Sequence, residues 1–309
     1  MNHYDTIVIG GGPAGLTAGI YLSRAHVKTL IINQGAVGGQ MVLTHEIANY
    51  PGVESINGYQ LANIMRHQAK KFGTKIRSIG EITALDLLSD VKSVTVDNSD
   101  TFTADSIIIA TGGRSRTLNV PGEDLFKGRG ISYCATCDGD FFTDKEIIVV
   151  GGGNSALEEA VSLTKYVRKV TVVHQFDYFQ AFEHAVKEAE DNPQIDFILN
   201  SSITGFNGEE KLTSVEITNH KTQEKYTMPI DGVFIFIGYV PNTAFLEGHV
   251  ERNQWDEIVV DHSMATNVKG VYAAGDCIAK RFRQVSTAVN DGTIAALTAA
   301  AYINDLQKT

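Results

Sequence analysis

Short apolar runs alternate with longer amphipathic stretches along this chain, and two of the runs end at glycine clusters. Residues 6–9 and 147–150 are apolar runs of the length typical of a buried parallel strand. A helical stretch follows each run, the second reaching about residue 166, and further strands are expected at 28–33 and 170–173. The pattern therefore predicts two βαβ units and an α/β fold.

Both glycine clusters have the spacing of a dinucleotide-binding turn. In the first, Gly10 permits the tight turn, Gly12 lets the backbone approach a pyrophosphate, and Gly15 lets helix and strand pack closely. The N–H groups at the start of the helix favour an anion there. The residues expected to bind a dinucleotide at this turn are Gly10, Gly12, Pro13, Ala14 and Gly15. The second cluster, at 151–156, is the G-x-G-x-x-A variant, so the chain is expected to have two dinucleotide sites.

Composition narrows the classes of function. The 309 residues suggest about two domains, and 43% hydrophobic with 20% charged residues is typical of a soluble globular chain. The net charge of −10 argues against nucleic acid or an anionic membrane as a partner. We find no basic leader and no apolar stretch of the roughly 18 residues needed to span a bilayer. Three cysteines are too few for a secreted disulfide framework, so we expect a cytoplasmic protein.

Two of the three cysteines form a C-x-x-C pair, Cys134 and Cys137, followed directly by Asp138. The disulfide of such a pair opens and re-forms readily, and local charge can lower the pKa of one thiol. The alternative is half of a zinc site. Structural zinc needs four nitrogen or sulfur ligands, and the sequence has no second C-x-x-C or H-x-x-x-H run. We therefore interpret the pair as redox-active and predict no metal site.

A late strand ends in Gly275 and Asp276, and Arg283 and Gln284 follow at the start of a long helix. An acid at the carboxyl end of a strand, near the first glycine turn, can hydrogen-bond the ribityl chain of a flavin. The alternative for Asp276 alone is a helix N-cap.

These motifs, in this order, resemble the low-molecular-weight thioredoxin reductases, a family of FAD-containing flavoproteins. The resemblance covers nearly the whole chain, and the run from Cys134 to Gly139 is its most specific part. Its other pieces are the two glycine turns, Gly38-Gly39-Gln40, Asn49-Tyr50-Pro51-Gly52, Ala110-Thr111-Gly112, Gly238-Tyr239-Val240-Pro241-Asn242, Gly275-Asp276 and Arg283-Gln284.

The resemblance implies a two-dinucleotide-binding flavoprotein in which one Rossmann-like domain is inserted into another. The FAD-binding domain would comprise residues 1–113 and 242–309, and residues 114–241 would form the inserted disulfide and NAD(P)-type domain. The resemblance further implies thioredoxin as electron acceptor and a homodimer, with Gln40 and Asn49 contacting the flavin.

The roles of the redox residues are also implied by the resemblance. Cys137 would lie next to the flavin, and Cys134 would exchange with the disulfide of thioredoxin. Asp138 would carry the proton to the leaving thiolate, the alternative being an acid that stabilises a helix N-terminus. A function of another class, a flavin-binding redox sensor, is disfavoured because a sensor needs no such acid.

The chain departs from the family where relatives that use NADPH carry His-Arg-Arg-x-x-x-Arg. The histidine is present as His174, but Gln175, Phe176 and Gln180 stand at the three arginine positions. Arginine binds phosphate through two charge-assisted bonds, each of about 1.5–3 kcal/mol. Losing two or three such bonds lowers affinity by about 10²–10⁴ or more. The sequence therefore predicts that NADPH is not preferred.

Three explanations of this departure compete. Nearby Lys165, Arg168 or Lys169 could replace the arginines, although they resemble cations that close a helix C-terminus. The turn could instead accept NADH weakly. We favour a third explanation, in which the donor is a ferredoxin, as in the ferredoxin-dependent flavin thioredoxin reductases that lack the arginine motif. An acidic ferredoxin would need a basic patch, for which 280–283 is the candidate, unless those cations serve flavin contact or solvation.

Overall fold

Buried parallel strands form the centre of each of two compact units. A computed structural model describes residues 2–44, 46–78 and 80–308, and it confirms the predicted α/β fold. One unit contains the chain up to Arg114 together with the chain from Val240 onward, and the other is Ser115–Tyr239. The chain leaves the first unit after Arg114 and returns to it after Tyr239.

The seventeen strands in the described residues are β1 (His3–Ile9), β2 (Thr29–Asn33), β3 (Lys75–Ser78), β4 (Ile82–Asp86), β5 (Lys92–Val96), β6 (Asp100–Ile109), β7 (Gly113–Ser115), β8 (Ile131–Ser132), β9 (Glu146–Val150), β10 (Lys169–Val173), β11 (Ile195–Ile198), β12 (Ser201–Gly208), β13 (Leu212–Asn219), β14 (Lys225–Pro229), β15 (Gly232–Ile235), β16 (Tyr239–Pro241) and β17 (Val271–Ala273).

The seven α-helices in the same ranges are α1 (Pro13–Arg24), α2 (Gly58–Lys71), α3 (Glu123–Phe126), α4 (Ala135–Asp138), α5 (Asn154–Leu163), α6 (Glu183–Glu190) and α7 (Val285–Leu306). Within these described segments, no helix is both long enough and apolar enough to cross a bilayer.

The first unit is built on a seven-stranded sheet with the order β3-β2-β1-β6-β5-β4, and β17 also pairs with β6. Strands β3, β2, β1, β6 and β17 are parallel, whereas β4, β5 and β6 form antiparallel pairs. The burial of β6 follows this division: its first half alternates between buried and partly exposed residues, and its last four residues are all buried. That is the difference expected between a half-solvated antiparallel strand and a parallel strand covered on both faces.

Strand β1 is longer than its apolar core predicts. Its polar start joins the sheet because His3 and Tyr4 pair in register with Thr103 and Ala104 of β6. Burial increases along β1 toward its carboxyl end, where the glycine turn begins. Cross-strand pairing therefore extends a strand that hydrophobicity alone places at residues 6–9.

The second unit contains a parallel sheet with the order β11-β10-β9-β15-β8 and an antiparallel sheet of β12, β13 and β14. Helix α5 follows β9 directly, as the second βαβ unit requires. It ends at Leu163 rather than near residue 166, because the Thr164 hydroxyl donates to the Val161 carbonyl and the chain turns there. A hydroxyl of this kind offers the backbone a partner outside the helix.

Helix α7 packs closely against α1 at a glycine, which yields a stability prediction. A Cβ on Gly292 would lie 2.2 Å from the carbonyl oxygen of Ala14. Gly→Ala inside a helix normally stabilises by about 1 kcal/mol, but here a backbone atom would have to move. We expect Gly292→Ala to lower the free energy of unfolding by about 1–3 kcal/mol in urea denaturation.

The control for Gly292→Ala is Gly35→Ala, because a Cβ on Gly35 meets no atom within 4 Å. We expect this control to change stability by less than about 0.5 kcal/mol. Equal unfolding midpoints for the two variants would contradict the packing argument.

Candidate active site

The two predicted redox cysteines are joined in a disulfide. The Cα atoms of Cys134 and Cys137 are 5.3 Å apart, and both side chains are partly exposed. Cys134 is the N-cap residue of α4, and Cys137 lies within that helix. A disulfide closed within one helical turn and open to solvent is accessible to an external thiolate.

Asp138 is held by a serine that the sequence pattern did not single out. The hydroxyl of Ser132 donates to Asp138 Oδ2 at 2.5 Å, and the backbone N–H of Cys134 donates to the same hydroxyl at 3.1 Å. Burial raises the pKa of Asp138, the hydrogen bond from Ser132 opposes that rise, and Asp140 adds to it. A carboxyl with a raised pKa keeps its proton nearer to neutral pH, as a proton carrier requires.

The alternative role of Asp138, stabilising a helix N-terminus, stays open, because Asp138 lies in the first turn of the four-residue α4. It is the last residue of α4, and as the N-cap residue of the following 3₁₀ turn, Gly139–Phe142, its side chain makes no capping hydrogen bond. Its carboxylate contacts Ser132 instead.

The residue before Cys134 is anchored by a buried carboxylate. Glu123, 3% exposed, accepts hydrogen bonds from the backbone N–H groups of Leu118 at 3.1 Å and Asn119 at 2.7 Å. It also accepts from the hydroxyl of Tyr133 at 2.6 Å. Burial is the main cause that raises the pKa of Tyr133, and the hydrogen bond and charge of Glu123 raise it further. The Tyr133 hydroxyl therefore stays protonated and acts as the donor. Glu123 thus fixes the approach of the chain to the disulfide.

The first glycine turn is closed on one side and open on the other. Gly10 has a φ of +115°, and a Cβ there would lie 2.1 Å from the carbonyl oxygen of Ala110. A Cβ on Gly15 would lie 1.9 Å from the carbonyl oxygen of Gly10. At Gly12, the nearest atom to an added Cβ is Gly39 Cα, 3.9 Å away. The turn is therefore packed against the sheet but open where a pyrophosphate would approach.

The start of α1 has no side-chain cap, and it lies against Gly275, which follows strand β17. Pro13 is the first residue of α1, and Gly12 precedes it with no side-chain cap. Ala14 faces Gly275, where an added Cβ would lie 2.9 Å from Ala14 Cβ. Two of the predicted cofactor motifs are thus brought together at one helix N-terminus, which is a favourable place for an anion.

The turn at Gly275 and Asp276 is held by a buried ion pair that the sequence analysis missed. Asp291 Oδ2 accepts from the backbone N–H of Gly275 at 3.2 Å and pairs with Lys280 Nζ at 2.5 Å. Burial raises the pKa of Asp276, and the charge of Lys280 opposes the rise. The N-cap alternative for Asp276 is wrong, because Gln284 is the N-cap residue of α7.

The remaining predicted flavin contacts lie around the start of α7 and beside Gly12. Asn49 Nδ2 donates to Gln284 Oε1 at 3.3 Å, and Arg283 forms an ion pair with Glu257. Gln40 is exposed on the 3₁₀ turn Gly39–Leu43, whose first residue faces Gly12.

The second glycine turn is covered by the segment that follows β10. The backbone N–H of Gln180 donates to the Gly152 carbonyl at 2.7 Å, and that of Phe182 donates to Asn154 Oδ1 at 2.7 Å. The ring of His174 lies on Gly152, where an added Cβ would be 2.4 Å from three ring atoms. The chain therefore occupies one side of this turn with its own backbone and a histidine ring.

Aromatic rings surround His174 in the segment that follows β10. His174 contacts Phe176 edge-on at 5.4 Å and stacks on Phe179 at 5.8 Å, and Phe176 stacks on Tyr178 at 5.5 Å between ring centres. Burial lowers the pKa of His174, so at neutral pH this ring carries no positive charge. The cluster presents apolar faces rather than cations.

The cations proposed as replacements are engaged with carboxylates or lie exposed. Arg168 pairs with Glu146 at 2.9 Å and Lys169 pairs with Asp196 at 2.5 Å, while Lys165 is exposed. The first explanation of the missing arginines, rescue by these residues, therefore gains no support from their contacts.

The third cysteine lies apart from this chemistry. Cys277 is fully buried, its thiol contacts the carbonyls of Ala274 and Ile109, and burial raises its pKa. Within residues 2–44, 46–78 and 80–308, we find no group of three or more His, Cys, Asp or Glu side chains that could hold a metal ion.

Comparison with known proteins places these features in a family. Residues 4–292 match the family model described as pyridine nucleotide-disulphide oxidoreductase. The chain is 44% identical to a thioredoxin reductase of Listeria innocua, over 99% of this chain and 95% of that protein. It is 42% identical to a "34.2 kDa protein in rubredoxin operon" of Clostridium pasteurianum, over 97% of each. The crystal structure of a Streptococcus pyogenes thioredoxin reductase superposes with a TM-score of 0.95 at 40% identity, covering 98% of this chain and 99% of that one.

The Glu123 anchor generates a stability prediction. Glu123→Ala leaves two backbone N–H groups and the Tyr133 hydroxyl without their carboxylate acceptor. We expect a loss of about 2–4 kcal/mol in the free energy of unfolding, measured by urea denaturation.

The matched control is the neighbouring Asp124→Ala. Asp124 is exposed and pairs with Lys127 at 2.7 Å, three residues along the chain. We expect it to cost less than about 0.5 kcal/mol. Similar losses for the two variants would mean that burial of Glu123 adds nothing to its contribution.

Proposed function

Because this chain belongs to the pyridine nucleotide-disulphide oxidoreductase family, we propose that it carries electrons to thioredoxin from a donor other than NADPH. Its activity is that of a thioredoxin-disulfide reductase, an oxidoreductase acting on a sulfur group, and FAD is its cofactor. The identity of the donor, the roles of single residues, the homodimer and the cytoplasmic location are our proposals. The donor proposal rests on the aromatic cluster beside the second glycine turn.

We propose that the unit formed by the chain up to Arg114 and from Val240 onward binds FAD. The open face at Gly12 and the uncapped start of α1 fit a pyrophosphate, and the buried carboxyl of Asp276 fits a hydroxyl-bearing chain. The residues proposed to hold the cofactor are Gly10, Gly12, Pro13, Ala14, Gly15, Gln40, Asn49, Gly275, Asp276, Arg283 and Gln284.

The proposed mechanism is dithiol–disulfide exchange at the C-x-x-C pair. The chemistry that FAD supplies when bound is the delivery of an electron pair to the Cys134–Cys137 disulfide. The Cys134 thiolate then attacks one sulfur of the thioredoxin disulfide and releases one thioredoxin thiolate. Cys137 attacks Cys134 next, which releases the second thiolate and restores the disulfide. Asp138 gives a proton to a leaving thiolate, a role that its raised pKa supports.

The donor proposal follows from charge at the second glycine turn. A 2′-phosphate needs fixed cations, and bidentate arginine bonds of about 1.5–3 kcal/mol each normally supply them. Gln175, Phe176 and Gln180 supply no charge, and neutral His174 with Phe176 forms an apolar surface instead. NADH lacks that phosphate and remains the alternative donor, held only by the glycine turn.

A ferredoxin is the donor that we propose, although the charge of the chain does not steer one to it. The net charge is −10, and ferredoxins are acidic. Within the candidate patch 280–283, Lys280 pairs with Asp291 and Arg283 with Glu257. Exposed Arg281 packs over the ring of Phe282 at 5.2 Å. Electrostatic attraction at this patch is therefore weaker than the sequence predicts.

The donor proposal predicts the response of the flavin absorbance at 450 nm under anaerobic conditions. Reduced ferredoxin is expected to bleach the holoenzyme, whereas micromolar NADPH leaves the absorbance unchanged. NADPH is expected to have no effect because Phe176 stands at a position where a cation is needed and cannot bind the 2′-phosphate. Rapid bleaching by micromolar NADPH would refute the proposal, and bleaching by NADH alone would establish the alternative.

A variant with the arginines restored is the matched control for this experiment. Gln175→Arg, Phe176→Arg and Gln180→Arg together are expected to strengthen NADPH binding by about 10²-fold or more. The variant is not expected to change the response to ferredoxin.

The exchange mechanism predicts the phenotype of Cys134→Ser. Flavin reduction by the donor is expected to persist, whereas thioredoxin reduction falls by about 10³-fold or more because the attacking thiolate is gone. Stopped-flow absorbance and thioredoxin turnover measure the two steps, with Cys277→Ala as the control that retains both. Negligible thioredoxin turnover by the wild type with every donor would instead favour a redox sensor.

A further inference from the structure

The hydroxyl of Ser132 lies between the proposed proton carrier and the exchanging cysteine. It is 2.5 Å from Asp138 Oδ2, 3.1 Å from the backbone nitrogen of Cys134 and 3.3 Å from the carbonyl oxygen of Cys134. Ser132 is 5% exposed, and its strand is fixed by the pairing of Ser132 with Phe234 of β15. These contacts place one buried hydroxyl in reach of one donor and two acceptors.

A hydroxyl has a single proton, so it can donate to only one of its two acceptors at a time. When Asp138 is ionised, the charge-assisted bond to its carboxylate is the stronger choice. When Asp138 is protonated, its own O–H can donate to Ser132, and the serine proton can turn to the carbonyl of Cys134. The Cys134 N–H donates to Ser132 in either case.

We propose that Ser132 is a positioning residue for the disulfide exchange, one that keeps Asp138 hydrogen-bonded in both protonation states and ties it to the backbone of Cys134. This inference rests on the proposed function, in which Asp138 is the acid. In the proton-transfer step, the Asp138 O–H bond breaks and an S–H bond forms on the leaving thiolate. The carboxylate left behind then receives the hydrogen bond of Ser132, so it is never left buried without a donor.

The charge that acts on the pKa of Asp138 is negative. Asp140, on the adjacent 3₁₀ turn, raises its pKa, and α5, which packs beside α4, carries Glu158 and Glu159. Strands β8 and β15 bring no charged side chain to this region. The hydrogen bond from Ser132 is the interaction that lowers the pKa of Asp138 against burial and Asp140. Removal of the Ser132 hydroxyl is therefore expected to raise the pKa of Asp138.

The first readout is the carboxyl of Asp138 itself. Infrared difference spectra of the oxidised holoenzyme, titrated with and without Asp138→Asn, isolate the C=O band of the protonated carboxyl. Ser132→Ala is expected to move the midpoint of that band upward by about one pH unit or more. Ser132→Thr retains the hydroxyl, so its midpoint is expected to stay near that of the wild type.

The second readout is a single turnover that needs no physiological donor. Enzyme pre-reduced with dithionite, and freed of excess reductant, is mixed with oxidised thioredoxin across pH. The limb of the rate profile that Asp138→Asn abolishes is expected to move upward in Ser132→Ala and to be restored in Ser132→Thr. A serine with a merely structural role would lower the rate at every pH and leave that limb in place.

The outcomes separate this inference from the proposed function. An infrared midpoint that does not move in Ser132→Ala overturns the positioning role of Ser132. A midpoint that moves while the rate profile does not supports the coupling of Ser132 to Asp138 but refutes Asp138 as the acid. Movement of both supports both.

Discussion

Direct contact between backbone atoms at the start of α1 is the constraint on which the first unit depends. Gly10 and Gly15 meet with no side chain between them, and Gly292 of α7 meets the carbonyl of Ala14. Each contact would be broken by a single Cβ, because the neighbouring atom belongs to the backbone and cannot rotate away. Between these two contacts the turn is open at Gly12, where the nearest atom to an added Cβ is Gly39 Cα, 3.9 Å away. The packing of the unit and its capacity for an anion therefore have one cause.

In other parts of the site, carboxylate side chains fix the backbone by accepting hydrogen bonds. Asp291 holds the Gly275 turn, Glu123 holds the approach to Cys134, and Asp138 is held by Ser132. In each case the carboxylate accepts from an N–H or O–H group that fixes the backbone. A buried carboxylate without such donors would cost several kcal/mol or take up a proton. The position of each of these segments therefore depends on hydrogen bonds to a carboxylate, and burial makes such bonds stronger.

The parts of this site that the sequence predicts are those carried by contiguous motifs. Two glycine turns, the C-x-x-C pair and the Gly275-Asp276 strand end each need only neighbouring residues to be recognised, and the α/β fold follows from them. Asp291 and Glu123 were missed because only folding shows them to be buried and in contact with their hydrogen-bond donors. Ser132 lies close enough in sequence to be suspected, but serine before a C-x-x-C pair has no distinctive pattern. Within the candidate patch 280–283, the ion pairs of Lys280 with Asp291 and of Arg283 with Glu257 could not be inferred from the sequence, because folding alone brings these carboxylates into contact.

The glycines of the second turn and the exposed residues that follow β10 are constrained in different ways. The turn itself is required by packing, since a Cβ on Gly151 would lie 2.4 Å from the carbonyl oxygen of Phe236, which follows β15, and 2.9 Å from Ala156 Cβ of α5. Selection for folding alone would therefore keep this glycine whether or not a nucleotide binds. Phe176 and Tyr178, which follow β10, are under no such packing requirement, because they are 36% and 59% exposed. The exposed residue Phe176 is therefore free to vary with the ligand, whereas the buried Gly151 is required by the fold. For that reason, the loss of cations at Gln175, Phe176 and Gln180 carries more weight for the identity of the donor than the presence of the glycine turn.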